Sequence, residues 1–187
     1  MINPDHLKAL RFLTGDSALR PQLKGVRVEV KGERVVTQAT NGNLAGMCKG
    51  TTASDDLPAE SFTIPNDAAD LILKAAKNMP ITVKPGQDGH LIAAGVFFKP
   101  MDLAYPDVRR IIPESPSGET AQFSTDLLAR FSKSAKALGA KTGNFHLTHN
   151  GRGAALVRIP GRLDFIGVAM PYDFKDPALA PVAGFKH

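Results

Sequence analysis

The side chains best suited to chemistry stand apart from one another in this sequence. His146 and His149 have a three-residue spacing that metal sites use, but they fall in a strand and turn, with no cysteine or clustered acid alongside. Cys48 sits next to Lys49, whose charge favours a thiolate, yet nothing resembling a general base accompanies it. Gly42, Gly46 and Gly50 are too widely spaced for a dinucleotide-binding turn, and no glycine-rich loop ends in the lysine and hydroxyl residue of a phosphate site. Asp55 and Asp56 read as solvated charge in a linker. His6, His90 and His187 complete the histidines without forming a cluster. No catalytic constellation emerges. The expectation is a binding protein, not an enzyme, with no metal and no cofactor.

What the sequence offers instead is positive charge at helical spacing. The formal net charge is +5 over 187 residues. Arg130, Lys133 and Lys136 recur at i, i+3, i+6, with Lys141 just beyond; Lys74 and Lys77, and Lys8 and Arg11, repeat the spacing in two earlier segments. Asp70 and Asp126 are among the few acids on those outer faces. An exposed helix face is commonly charged, so the bland reading is solvation. The sharper one is a surface facing the phosphates of duplex DNA without regard to sequence. Tryptophan is absent and aromatic residues scarcely interleave the basic ones, which argues against a stacking platform for single strands.

The elements that must position these residues form three stretches of similar layout. Pro4 to Leu13 reads as a short helix on Leu7, Leu10 and either Phe12 or Leu13, stopped by Gly15 and Asp16. Val26, Val28 and Val30 alternate with Arg27 and Glu29 as a half-buried strand, and Lys31-Gly32-Glu33 turns it into a partner over Arg34 to Ala39. The second stretch runs from a strand at Ser61 to Ile64 into a helix over Ala68 to Asn78, with Asn66 or Asp67 as its N-cap and Ala68, Leu71, Ile72 and Ala75 inward. Ile81 to Val83 and Leu91 to Lys99 supply further strands. The third stretch begins with a strand at Ala121 to Phe123. Ser124 or Thr125 then caps a helix over Asp126 to Leu138, with Leu127, Leu128, Phe131, Ala135 and Leu138 as its apolar stripe. Strands at Phe145 to Thr148, Ala154 to Ile159 and Phe165 to Ala169 follow, with Asn150-Gly151 as a hairpin turn. The fold class is therefore α+β, a strand–helix–strands half-unit used three times. Residues 1–113 are expected to form a domain of two half-units, 119–175 a third half-unit, and 176–187 a loosely attached tail, with Asp55 to Ala59 and Glu114 to Gly118 as linkers.

Apolar content of 43% and charged content of 22% are ordinary for a globular protein, and no run approaches eighteen apolar residues. One cysteine permits no internal disulfide, and Met1 to His6 carries no secretion signal, so a cytoplasmic location is expected.

Three motifs point to one family. Ala39-Thr40-Asn41-Gly42-Asn43-Leu44-Ala45 resembles the A-T-D-G-H-R-L-A loop of the bacterial DNA polymerase III β sliding clamp. Tyr105-Pro106-Asp107-Val108-Arg109-Arg110-Ile111-Ile112-Pro113 is similar to its F-P-D-Y-R-R-V-L-P strap, here read as a stiff, extended connector bracketed by prolines. Phe165 to Pro171 is similar to its closing Y-V-V-M-P strand. The resemblance spans about Leu7 to Phe174. It implies the DNA-clamp architecture, with helices on one face of antiparallel sheets, and a ring that tethers a DNA polymerase to duplex DNA. Lys8, Arg11, Lys74, Lys77, Arg130, Lys133, Lys136 and Lys141 would then face DNA. It also implies an outer cleft for a short apolar peptide of a polymerase or other partner, at Thr40, Gly42, Leu44, Pro106, Arg110, Ile111, Val168, Met170 and Pro171. In that reading Arg109 points away and is structural.

The chain departs from the family in two ways. The family's loop has one more residue, with a histidine and an arginine where this chain has only Asn43. The family builds three domains of two half-units, whereas three half-units are legible here. Two third stretches from different chains would pair across a two-fold, giving a homo-oligomer, a dimer or a tetramer. The alternative is a clamp-fold adaptor or decoy that binds replication proteins without encircling DNA.

Overall fold

The computed structural model describes residues 1–52, 57–58 and 61–172. The expected linker at Asp55 to Ala59 falls largely outside these residues, and the expected tail does so wholly. Helix α1 (Pro4–Arg11) starts because the Asn3 side chain accepts the Asp5 N–H at 2.8 Å and Pro4 needs no partner for its nitrogen. It ends where the Thr14 hydroxyl donates to the Arg11 carbonyl at 2.9 Å. Strands β1 (Gly25–Lys31) and β2 (Arg34–Thr40) form the expected hairpin, turning at Gly32 in the left-handed region. β3 (Leu44–Thr51) then pairs antiparallel with β2 along its whole length. The second half-unit holds β4 (Phe62–Pro65), α2 (Asn66–Ala76), β5 (Val83–Pro85), β6 (Leu91–Ala93) and β7 (Val96–Phe98). The third holds α3 (Thr125–Ala137), β8 (His146–Thr148), β9 (Ala155–Arg158) and β10 (Phe165–Ala169).

The units do not follow chain order in space. A seven-stranded antiparallel sheet runs β4-β1-β2-β3-β10-β9-β8, so the first unit lies in the middle and the third is joined to it edge to edge. The second unit keeps its own three-stranded sheet, β5-β6-β7. It is locked to the first by exchange: β4 pairs with β1, while Ile2, ahead of α1, bridges Ile81, ahead of β5. The Ile2–Ile81 backbone bonds are 2.8 and 2.9 Å.

The three helices pack on one face of these sheets. Leu7, Leu10, Ile72, Phe131 and Leu138 meet Val26, Val28, Ala39, Cys48, Phe165 and Ala169 in the main core. A smaller core on the opposite face groups Ala45, Met47, Val108 and Val168. Alternation along β3 and β10 sends neighbouring residues to these two cores. At the join the directly opposed pair is Gly46 and Gly167. A Cβ on Gly167 would lie 2.7 Å from the Phe131 ring, and one on Gly46 would run into Leu13. The glycine pair thus lets α1 and α3 sit directly on the strands.

The structure corrects five expectations. Ala121 to Phe123 is not a strand, because no neighbouring strand lies beside it; the Ala121 N–H goes instead to His149 Nδ1 at 2.9 Å. Ile81 to Val83 contributes one bridge and the start of β5 rather than a full strand. Neither Asn66 nor Asp67 caps α2, whose N-cap position is Pro65; the Asn66 side chain donates to the Gly15 carbonyl at 3.0 Å. The buried face of α2 is Ala68, Ala69, Ile72 and Ala76, chosen by contact with α1 and the sheets, and Leu71 is 56% exposed. The strap is not extended throughout: Val108–Ile111 makes a 3₁₀ turn started by the Asp107 carboxylate, which accepts the Arg109 N–H at 3.2 Å.

Candidate functional site

Two surfaces collect the residues singled out from the sequence, one on each side of the sheet. On the helix side, α2, α1 and α3 lie in a row. α3 is fixed to α1 by the Ser134 hydroxyl, which donates to the Ala9 carbonyl at 2.8 Å. Arg130 donates to the Thr14 and Phe12 carbonyls at 3.0 and 3.4 Å, finishing the open end of α1. Arg11 grips Asp70 of α2 with two bonds of 3.0 and 2.9 Å. Arg130 and Arg11 therefore act first as ties between helices. Lys8, Lys74, Lys77, Lys133, Lys136 and Lys141 are exposed along the same row. Periodicity had grouped all of them together, since a helix face turned to a neighbouring helix repeats with the same period as one turned to solvent.

On the outer side, the strap crosses the first unit. Tyr105 is pinned there: its hydroxyl accepts the Thr40 N–H at 3.1 Å, and burial pushes its pKa up. Val108 plugs the small core above Ala45, Met47 and Val168. Arg109 forms an ion pair with Glu29, and that hydrogen bond raises its already high pKa. Arg110 turns outward beside Asp107, at 3.3 Å, with most of its side chain in solvent.

Pairing of β3 with β10 brings the loop after β2 against the chain after β10, where the Met170 N–H donates to the Asn43 carbonyl at 2.8 Å. Within that loop the Thr40 hydroxyl donates to the Leu44 carbonyl at 2.7 Å and accepts the Gly42 N–H at 3.0 Å. Gly42 has φ +95°, a conformation a side chain resists. Thr40 and Gly42 thus shape the loop. Leu44, expected as a pocket wall, is 1% exposed and packs into the helix-side core, because β3 alternates it away from the outer face. Val168 does face outward but lies beneath Val108. Of the expected cleft residues, Ile111 is 41% and Met170 36% exposed, Pro106 and Arg110 are exposed, and Pro171 is half-buried. A hollow of about 570 Å³ adjoins the start of the strap, between Arg27, Phe62, Met101 and Tyr105.

One cluster had no local signal in the sequence. His6 of α1 meets Asp164 of the third unit at 2.7 Å, and Arg162 holds the same carboxylate with bonds of 2.8 and 3.0 Å. Arg162 also donates to the Leu138 carbonyl at the end of α3. The guanidinium holds the Asp164 pKa down at about 2, and burial pushes that of His6 below its usual value against the opposing pull of Asp164. These residues lie at opposite ends of the chain, so only the fold unites them. Burial pushes the Cys48 thiol pKa up, which removes it as a nucleophile. His149 accepts the Ala121 N–H and meets the Phe123 ring edge to face, so it is a packing residue. Among the described residues, no group of three or more His, Cys, Asp and Glu side chains could hold a metal ion.

Solved sliding clamps share this fold. The DNA polymerase sliding clamp of Bacillus subtilis superposes with a TM-score of 0.69 at 15% identity, over 91% of this chain and 62% of its own. That of Pseudomonas aeruginosa gives 0.66 at 17%, over 92% and 65%. The DNA polymerase III beta subunit of Thermotoga maritima gives 0.66 at 11%, over 91% and 63%. In sequence, the beta sliding clamp of Escherichia coli K12 is 26% identical over 115 residues, 59% of this chain. The chain is a clamp-like relative of the bacterial beta sliding clamp. No protein-family model matches it. The clamp-like stretch aligned in sequence amounts to about a third of the curated relative's length, 31%. Among the described residues, no helix of this clamp-like chain is long and apolar enough to cross a membrane.

Proposed function

We propose that the protein is a non-catalytic, sliding-clamp-like processivity factor. It oligomerises into a ring around duplex DNA and holds a DNA polymerase there through its outer face. The observation that carries this reading is the row α2–α1–α3 with Lys8, Lys74, Lys133 and Lys136 exposed along it. Lysines on flexible stems meet phosphates at many positions and read no bases, which suits sliding. The outer surface at Ile111, Met170 and Pro171, with Arg110 at its rim, suits an apolar peptide that brings a carbonyl or carboxylate for the guanidinium. A soluble, cytoplasmic setting follows from that role.

The experiment is retention on plasmid DNA. The protein, loaded with its polymerase, is expected to stay on closed circular plasmid and to run off after linearisation. Equal loss from both forms would sink the ring. Reversing Lys74, Lys133 and Lys136 to Glu should flatten the salt dependence of DNA affinity by roughly 0.9 log unit per phosphate contact removed. An unchanged salt slope would place DNA elsewhere.

One observation favours a second reading. The strap, β3 and β10 already meet within a single chain, in the buried outer core of Ala45, Met47, Val108 and Val168. A peptide-binding adaptor or decoy would therefore need no ring. Polymerase-derived peptide binding to a persistent monomer, lost in Met170→Asp, would favour it.

A further inference from the structure

A buried amide lies on the outer face of the sheet, where apolar packing does not account for it. Gln38 of β2 is 2% exposed, and alternation turns it outward while Ala39 enters the helix-side core. Its Nε2 donates to Glu29 Oε1 of β1 at 2.7 Å, and among the described residues its Oε1 has no hydrogen-bond partner. A buried amide satisfied on one side only is less favourable than an apolar side chain of similar size. What this amide does is hold a carboxylate. Glu29, braced by Gln38, receives the Arg109 guanidinium on both oxygens, with Nη1 at 3.5 Å from Oε1 and Nη2 closer to Oε2. An ion pair at the surface is ordinarily loose, but here its acid is already fixed by a buried donor. Val108 and Ile112 pack on the small core at either end of the strap's 3₁₀ turn, and Arg109 is the side chain between them that reaches the sheet. Arg110 and Ile111 are left exposed.

We propose that Gln38 and Glu29 are positioning residues for the outer cleft: acting through Arg109, they fix the turn from which Arg110 and Ile111 project. The turn has little backbone support of its own. The Arg110 N–H donates to the Asp107 carbonyl at 3.4 Å and the Ile112 N–H to that of Arg109 at 3.2 Å, both at the long end for such bonds. Asp107 also stands 3.8 Å from the Arg109 guanidinium and 3.3 Å from that of Arg110, so without Glu29 the two arginines would compete for it. Glu29 draws Arg109 to the sheet and leaves Asp107 to Arg110, which sets the direction of the exposed guanidinium. The role in the cleft rests on the proposed outer-face reading; the fixing of the turn does not.

The test is Gln38→Leu, with Glu29→Ala beside it, in the full chain. Backbone ¹⁵N order parameters over Arg109 to Ile111 report the turn, and that of Thr40 reports the Tyr105 anchor. In both variants the turn should fall from the rigid range near ~0.85 to below ~0.6, with Thr40 unaltered. The urea midpoint of Gln38→Leu should hold or rise, because a half-satisfied amide gives way to an apolar side chain. A turn that stays rigid in both variants overturns the proposal. So does a lowered midpoint in Gln38→Leu with loosening throughout β1 and β2, which would make Gln38 a residue of the sheet and not of the strap. A capped leucine–leucine–phenylalanine peptide, followed through the Ile111 methyl signals, then reads the cleft, and its affinity should drop about three- to tenfold in Gln38→Leu. Equal binding by wild type and Gln38→Leu would end the positioning role alone. No binding by the wild type, with the turn loosened as expected in the variants, would end the cleft reading and leave the fixing of the turn in place.

Discussion

Between the first and second units the chain exchanges backbone: β4 crosses to β1, and Ile2 crosses to Ile81. Between the first and third, no strand is exchanged among the described residues. β3 and β10 meet edge to edge, and the contact is completed by the Gly46–Gly167 pair, the Phe131 ring, the Ser134–Ala9 bond and the His6–Asp164–Arg162 cluster. The exchanged joint is held by crossing strands, whose backbone hydrogen bonds do not depend on which side chains they carry. The edge joint has a backbone ladder of its own but also leans on particular side chains, among them a carboxylate and an imidazole that titrate. A substitution or a change of pH should therefore part the third unit from the first more readily than the second.

The strongest break is Phe131→Ala. This ring is fully buried against Gly167 and Phe145, and its loss should cost about 3–5 kcal/mol in denaturant unfolding. Amide exchange is expected to rise first in β8, β9 and β10, with β1 and β4 holding longest. Equal exchange on both sides of β3 would mean that the joints do not differ. Glycine substitutions sharpen the point. Gly25→Ala sets a Cβ 2.6 Å from the Ile64 carbonyl, a backbone atom of the exchanged joint that cannot turn aside, whereas Gly167→Ala meets first the Phe131 ring at 2.7 Å, with the Phe165 ring and the Ala45 carbonyl farther off at 3.2 and 3.3 Å. Both should destabilise by about 1–3 kcal/mol, Gly25→Ala more because its tightest clash is with backbone. A larger loss for Gly167→Ala would reverse the ranking.

Acid should act on the edge joint in two steps. Folded His6 resists protonation, so as pH falls below 6.5 the unfolded chain takes up a proton that the folded one refuses, and stability declines. Asp164 acts lower. Its carboxyl protonates near 3.8 when unfolded and at about 2 when folded, so its contribution is present above 3.8 and disappears as pH drops through that interval. Thermal melts at stepped pH should show the upper step vanish in His6→Gln and the lower one in Asp164→Asn. Persistence of the upper step in His6→Gln would assign it to another group. The smallest effect belongs to Arg11→Gln. Its partner Asp70 is more than half exposed, so less than about 1 kcal/mol should be lost, and the loss should shrink in salt.

Periodicity was enough to find α1, α2, α3 and the β1–β2 hairpin, because each has an unbroken apolar face. It missed β3, whose inward positions Gly46 and Gly50 carry no apolar side chain to mark the alternation. Gly46 is also what the packing at α1 requires, since a Cβ there would fall 2.4 Å from Leu13. Ala121 to Phe123 shows the converse: its residues suit a strand, but among the described residues no strand pairs with it. Spacing placed Arg130 and Lys133 on one charged face, although one turns to α1 and the other to solvent. On the outer side, the resemblance in the strap and loop motifs marked Ile111 and Met170 as cleft residues, and both are partly exposed. It misplaced Leu44, whose direction depends on the register of β3.

The spatial order, with the first unit between the second and the third, has a consequence for biosynthesis. A chain made from its N-terminal side releases the central unit before either flank. The ribosome thus delivers the template first: β1 is waiting when β4 emerges, and the free edge of β3 is waiting for β10. Until β10 arrives, that edge is open to any passing strand. The strap, docking early through Tyr105 and Val108 against β2 and β3, shelters the outer face of that edge while the remainder of the chain is still being made.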